Sequence, residues 1–343
     1  MPDYRGPLGV SLRDIGVSAE VLAGWADAAE AGGYSGIWTP DVGGHDALST
    51  LAAFSARTRR VLLGTGVVPV FSRSPVVLAQ TAATLDDLSG GRFVLGLGAG
   101  ARPSAERWFA TAWSDPFARL EATVAAVRAV AAGEEVEVAW EGGQARGFRL
   151  GFPPFRPRPP VVLAALNPRM LAFAGRLADG VLLNWLPLGA VANAVARVRR
   201  AAADAGRDPG AVVVACYVRA CLGDLAELAG DLRPQVLAYL GYPAYAAMLR
   251  RAGITDVDRV AAAPPDERLG LVSDQTLATL VATGSAGQVA ERLEAYREAG
   301  VDLPVLYPLP AGDHPAARVM ATLTALAPGQ PLPPPPAWAG EPG

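Results

Sequence analysis

The chain has 343 residues, 51% hydrophobic and 18% charged, which is enough for one large buried core. Its formal net charge is −3 and no basic block occurs, which argues against nucleic acid or an anionic membrane surface as partner. Two cysteines, Cys216 and Cys221, are too few for a disulfide framework and read as reduced core thiols. Residues 1–12 lack secretory-signal architecture and no apolar run reaches membrane-spanning length, so the expectation is a soluble, cytoplasmic protein.

Along the chain, short β-branched runs alternate with helical patterns, the signature of βαβ units and a parallel sheet. Strands are predicted at 8–12, 36–39, 61–67, 92–97, 161–165, 181–184, 212–218 and 305–307. Eight is the number that closes a barrel, so the fold class is α/β and the architecture a (β/α)8 TIM barrel. One domain spans residues 1–327, and the PLPPPP-containing stretch 328–343 reads as an extended tail.

Helix signals fall between these strands. Residues 19–31 place Val21, Trp25 and Ala29 on one face, and Gly32-Gly33 ends the run. Ser74-Pro75 and Asp115-Pro116 are N-cap and first-turn pairs, the second opening a helix with Leu120, Val124 and Val127 at helical spacing. Ser285 and Gln288 form a capping box before a helix that carries Val289, Leu293 and Tyr296 and stops at Gly300.

Two stretches exceed a minimal barrel: 133–160, after strand four, with strand-like pieces at 136–138 and 148–150, and the helical 223–284, between strands seven and eight. Both are read as insertions over the catalytic rim. The stripe Tyr239, Tyr242, Tyr245, Met248 in the second is read as packing, with a substrate lid as the other assignment.

Three places invite chemistry. His45 and His314 are far apart and without metal-ligand spacing, and no G-x-S-x-G elbow or Walker A pattern occurs. The run Gly96-Leu97-Gly98-Ala99-Gly100 is G-x-G-x-G, with no acidic residue on a following strand to complete a dinucleotide fingerprint. It reads as glycine-rich backbone open to a flat ligand, or as a tight βα turn. Gly64 and Gly66, inside a strand pattern, suggest a bulge. Asn167-Pro168-Arg169 caps a helix start whose free N–H groups and dipole suit an anion, beside the small Ala164 and Ala165. All three lie at strand carboxyl ends, where barrel enzymes place their sites, and together they fit a phosphorylated, ring-bearing cofactor.

The segment 60–100, RVLLGTGVVPVFSRSPVVLAQTAATLDDLSGGRFVLGLGAG, strongly resembles the luciferase-like monooxygenase superfamily, in particular its coenzyme F420-dependent oxidoreductases, the branch of methylenetetrahydromethanopterin reductase. AAEAGGYSGIWTPD, AALNPRMLAFAGRLADGVLLN and TGSAGQVAERLEAYREAGVDLPVLYP extend the resemblance over nearly the whole chain. It implies a barrel, often homodimeric. It implies a cis peptide at Gly66–Val67 behind the flavin ring, with Gly98 nearby, and Ala165, Leu166, Asn167 and Arg169 near the cofactor phosphate. It also places Thr39 and Asp41 near ring or substrate.

Two departures stand out: Val42 occupies the position of a frequent histidine, and Ala101 that of a frequent acid. His45 is the substitute candidate for a general acid, beside Asp41, and Arg102, Glu106 and Trp108 are candidate substrate contacts at the rim. The expected activity is hydride transfer between F420 and a small organic substrate. The alternatives are an FMN-dependent monooxygenase using O2 and a non-catalytic flavin-binding protein.

Overall fold

The computed structural model describes residues 6–13 and 16–329. Residues 330–343, most of the predicted tail, lie outside the described residues. Among the described residues, no helix is long and apolar enough to cross a membrane.

Among the described residues twelve strands form: β1 (Gly9–Ser11), β2 (Gly36–Thr39), β3 (Leu62–Thr65), β4 (Val68–Pro69), β5 (Phe93–Gly98), β6 (Val136–Trp140), β7 (Gly143–Phe148), β8 (Val161–Ala164), β9 (Gly180–Leu183), β10 (Val213–Leu222), β11 (Val281–Gly284) and β12 (Leu303–Pro308). Parallel pairing runs β1-β2-β3-β5-β8-β9-β10-β12 and returns from β12 to β1, closing an eight-stranded barrel. The barrel strands coincide in place with the eight predicted runs.

The helical signals act as their chemistry dictates. Ser74, Asp115, Asn167 and Ser285 each accept a backbone N–H in the first turn of the following helix, and the Ser285–Gln288 capping box is complete. In the helix Ala19–Ala31 the buried face is Leu22, Trp25, Ala26 and Ala29; Val21, predicted to face inward, is exposed. The 3.6-residue period serves both choices nearly equally, and packing selects Leu22.

Three predicted details change. The run 61–67 breaks into β3 and β4 around a cis Gly66–Val67 peptide, and β4 pairs with β5. The second strand of the first insertion is Gly143–Phe148, not 148–150; three glycines in a polar stretch mask its pattern. Its hairpin with β6 starts after the helix Pro116–Ala131, on the amino side of the barrel, and climbs beside that helix. Only its turn approaches the rim, where Glu141 accepts the Asp115 N–H and Trp140 lies under the Arg119 guanidinium, 4.4 Å from ring centre to Cζ. The expectation that this insertion covers the rim is therefore corrected. The second insertion does follow a strand's carboxyl end. It comprises helices Leu225–Leu240, Pro243–Arg251, Asp256–Ala262 and Asp274–Leu280, then β11, which continues the sheet beside β10.

Candidate active site at the barrel mouth

In a parallel ladder, paired residues point to the same side, so register defines the barrel interior. Ser11, Trp38 and Gly64 form one inward row, and Tyr307 and Arg219 form another on β12 and β10. Gly98 of β5 shares the side of Ala164 of β8, whose partner on β9 is Leu182; a Cβ on Gly98 would lie 3.5 Å from that of Ala164. One half of the mouth is thus built from glycine and alanine, the other from tyrosine and arginine.

The glycines of the small half have specific reasons in the protein's own packing. A Cβ on Gly64 would sit 2.6 Å from the Trp38 ring, on Gly66 1.7 Å from Tyr217 Oη, on Gly96 1.8 Å from Thr65 O, and on Gly98 2.6 Å from Val67 Cγ2. The protein's own atoms occupy the space that each missing side chain leaves. At the break between β3 and β4, Thr65 Oγ1 donates to Gly96 O at 2.7 Å and accepts from Gly96 N at 2.8 Å. Gly66 N donates to Thr39 O at 2.8 Å, and Tyr217 Oη donates to Gly66 O at 2.9 Å. Full burial pushes the Tyr217 hydroxyl far above the ordinary tyrosine range, which keeps it a neutral donor.

Thr39, Gly66, Val67 and Gly98, with Ala164 and Ala165, form one contiguous set. The Thr39 hydroxyl is buried and has no hydrogen-bond partner. Asp41 joins the set through its N–H to Val67 O, 3.4 Å. Its carboxylate accepts from Arg73 Nη1 at 2.7 Å, and Arg73 also pairs with Asp46, the N-cap of the helix Ala47–Arg57. Burial raises the Asp46 carboxyl, but Ser49 and Arg73 outweigh it and hold the group below its ordinary value. The Asp41–Arg73–Asp46 cluster ties the loop after β2 to the start of the next helix. His45 stands in the same loop, exposed.

Asn167 caps the helix Pro168–Leu177 by accepting the Met170 N–H at 3.0 Å. Ala165 is buried and donates to Leu182 O, while Arg169 is exposed with its guanidinium 5.1 Å from the Phe117 ring centre. Arg102 and Trp108 stand on or beside the short helix Arg102–Arg107; Arg102 faces Glu106 at 3.9 Å and Trp108 is 65% exposed. Their partners are Glu106 and Phe109, not the Thr39–Gly98 set, so the two groups share only the rim.

Sequence reading missed the opposite wall. Arg219 Nη1 donates to Asn184 Oδ1 at 2.7 Å, and Asn184 Nδ2 donates to Tyr245 Oη at 2.6 Å. The Arg219 Cζ lies 3.8 Å from the Trp185 ring centre, 4.1 Å from Tyr307 and 5.4 Å from Tyr239. Tyr239 and Tyr245, from the second insertion, therefore close over the mouth, while Met248 is buried within the insertion and Tyr242 is 47% exposed. Burial raises the Tyr239 hydroxyl, yet the positive charges of Arg219 and Arg13 bring it below the ordinary tyrosine value. The stripe assigned to packing does pack, Tyr239 and Tyr245 against each other and Tyr239 against Trp185. The available signal was the alternation Tyr217, Arg219: a charge in the middle of a strand otherwise apolar. Cys216 and Cys221 are both buried, and burial pushes Cys216 up to about 12 and Cys221 up to about 11, so neither offers a ready thiolate.

A closed parallel barrel of eight strands ringed by helices is a TIM barrel. The chain matches the luciferase-like monooxygenase family over residues 9–303 and belongs to it. It is 31% identical over 238 residues to 5,10-methylenetetrahydromethanopterin reductase of Methanolobus tindarius, covering 68% of this chain and 71% of that protein. The coenzyme F420 dependent tetrahydromethanopterin reductase from Methanopyrus kandleri superposes with a TM-score of 0.79 at 22% identity, covering 93% of this chain and 97% of that one. The oxygenating constituent of 3,6-diketocamphane monooxygenase from Pseudomonas putida, solved with FMN, superposes with a TM-score of 0.67 at 18% identity, covering 94% and 97%. These structural likenesses share the fold.

Proposed function

We propose that this chain is an oxidoreductase that moves a hydride between coenzyme F420 and a small organic substrate at the barrel mouth. The observation that carries the reading is the divided mouth: a floor of small residues and backbone on one side, a polar aromatic wall on the other, and a capped helix start at the rim. A relative from Mycobacterium tuberculosis named as a putative coenzyme F420-dependent oxidoreductase, 28% identical over 335 residues, supports the deazaflavin over FMN.

The residues fit such a group. The buried, unpartnered Thr39 hydroxyl is a donor awaiting an acceptor. Gly98, Ala164 and Ala165 keep side chains short where a planar ring would lie, with Gly66 and Val67 behind it. The helix start at Asn167 and the exposed Arg169, with Leu166 beside them, would hold the phosphate. When bound, the cofactor supplies or accepts the hydride. The chain's residues orient and enclose: Tyr217 fixes Gly66, Arg73 fixes the loop of Asp41, and Tyr239 and Tyr245 shield the mouth from water. His45 is the candidate proton donor on the open side, with Arg102 and Trp108 as rim contacts. In solution the chain is proposed to be a homodimer, which light scattering tests.

The second reading, an FMN-dependent monooxygenase, is favoured by the family's name and by the FMN-bound relative of the same fold. Anaerobic turnover separates the two. Oxidation of reduced F420 by a carbonyl panel without O2 supports the first; activity only with reduced FMN and O2 supports the second; binding without turnover points to a binding protein.

A further inference from the structure

The aromatic wall holds a buried cation with no carboxylate partner among the described residues. Arg92, Arg119, Arg156 and Arg219 are the buried arginines among the described residues. Arg92 Nε donates to Ser89 O, Arg119 Nε to Val70 O and Arg156 Nε to Asp86 Oδ2. Arg219, 3% exposed, differs: its Nε is buried and bonded to nothing. Its Nη1 donates to Asn184, the Tyr239 hydroxyl is a second partner of the guanidinium, and no carboxylate of the described residues lies within 4.0 Å. A buried cation without a counter-ion is unfavourable, and cation–π contact recovers only part of the lost hydration.

The surroundings hold this arginine in one orientation. Trp185 and Tyr307 pack against the guanidinium, and Asn184 occupies one nitrogen. Trp185 itself takes a left-handed backbone conformation, φ 54°, unusual for a bulky residue. What remains without a partner is the Nε–H, in the plane of the guanidinium. Arg219 is two residues beyond Tyr217, whose hydroxyl reaches Gly66, so this N–H belongs to the same mouth as the small floor. Nearby, Arg13 has a second buried Nε without a partner, and both arginines act on Tyr239.

We propose that Arg219, through its unpartnered Nε–H, is a subsite for a carboxylate of the substrate. A carboxylate takes a charge-assisted hydrogen bond from the edge of a guanidinium, while the anion-friendly helix start at Asn167 is a separate place, left to the cofactor phosphate. This rests on the reading of the mouth as the reacting site, and it narrows the substrate class to small organic acids.

The test is calorimetric titration of the full chain with acetate, benzoate and benzamide, with and without saturating F420. Benzoate or acetate should bind, with benzamide weaker by about 10-fold or more, because a charged acceptor is lost. Arg219→Met should weaken carboxylate binding about 10- to 100-fold. Arg219→Lys, which keeps the charge but not the guanidinium edge, should recover only part of it. F420 affinity should be unchanged in both variants. If Arg219→Met fails to fold by circular dichroism, Arg219→Lys decides on the same criterion. The proposal is overturned if neither carboxylate binds wild type, if benzamide matches benzoate, if the Arg219 variants bind carboxylate normally, or if they lose F420 instead. Arg219-dependent carboxylate binding in a chain that takes neither F420 nor FMN would retain the subsite and discard the cofactor reading.

Discussion

Gly66→Ala probes the contact on which the floor depends. A Cβ there would lie 1.7 Å from Tyr217 Oη and 2.9 Å from its Cζ, against an ordinary contact of 3.4 Å or more. Either the ring or the main chain must move by well over an ångström in a region where Tyr217 is 3% exposed. Overpacking of a buried site costs about 1–3 kcal/mol. If the ring moves, Gly66 O also loses its 2.9 Å bond, a further ~1 kcal/mol or more. The expected destabilisation is therefore about 2–4 kcal/mol, with weakened cofactor binding. Tyr217→Phe alone should cost about 1–2 kcal/mol, since it strands one buried carbonyl. Combining the two removes the 1.7 Å clash, so the double variant should be more stable than the sum of the singles by at least ~1 kcal/mol. Urea unfolding followed by circular dichroism measures all three. A Gly66→Ala chain within about 0.5 kcal/mol of wild type, or strict additivity, would refute the argument.

Three further outcomes are expected. Arg169→Ala should weaken F420 by about 10-fold while leaving its dephosphorylated core unaffected, by fluorescence titration; equal loss for both removes Arg169 from the phosphate site. His45→Ala should slow turnover by about 100-fold; an unchanged rate excludes it as the acid. In the lid, burial raises the Asp256 carboxyl, but Ser273, with Thr276 and Arg259, brings it below its ordinary value. A depressed folded-state value means the stabilisation is complete above the ordinary Asp range and is lost as pH falls through the folded-state value. Hydrogen exchange should show residues 223–284 opening below about pH 4 before the barrel does, and Asp256→Asn should cost about 1–3 kcal/mol at neutral pH; an unaltered variant contradicts this.

The parts legible in the sequence were those written locally. Caps at Ser74, Asp115, Asn167 and Ser285 sit within three residues of the N–H groups they bind, and each barrel strand is one short apolar run. The floor was half legible. Gly64, Gly66, Gly96 and Gly98 announced close approaches, but not that Trp38, Tyr217, Thr65 and Val67 are what approach. The wall was illegible, because Asn184, Arg219, Tyr245 and Tyr307 come from β9, β10, the insertion and β12 and meet only on closure. Val21 failed for a different reason: helical spacing fixes a stripe, while neighbouring elements choose its centre.

The central claim is that the mouth binds a deazaflavin. Titrating the purified chain with F420 and with FMN, following cofactor fluorescence, tests it most directly. The account predicts saturable F420 binding at one equivalent per chain, weakened by Gly66→Ala and Arg169→Ala, with FMN weaker. Tight FMN binding with no F420 binding would contradict it.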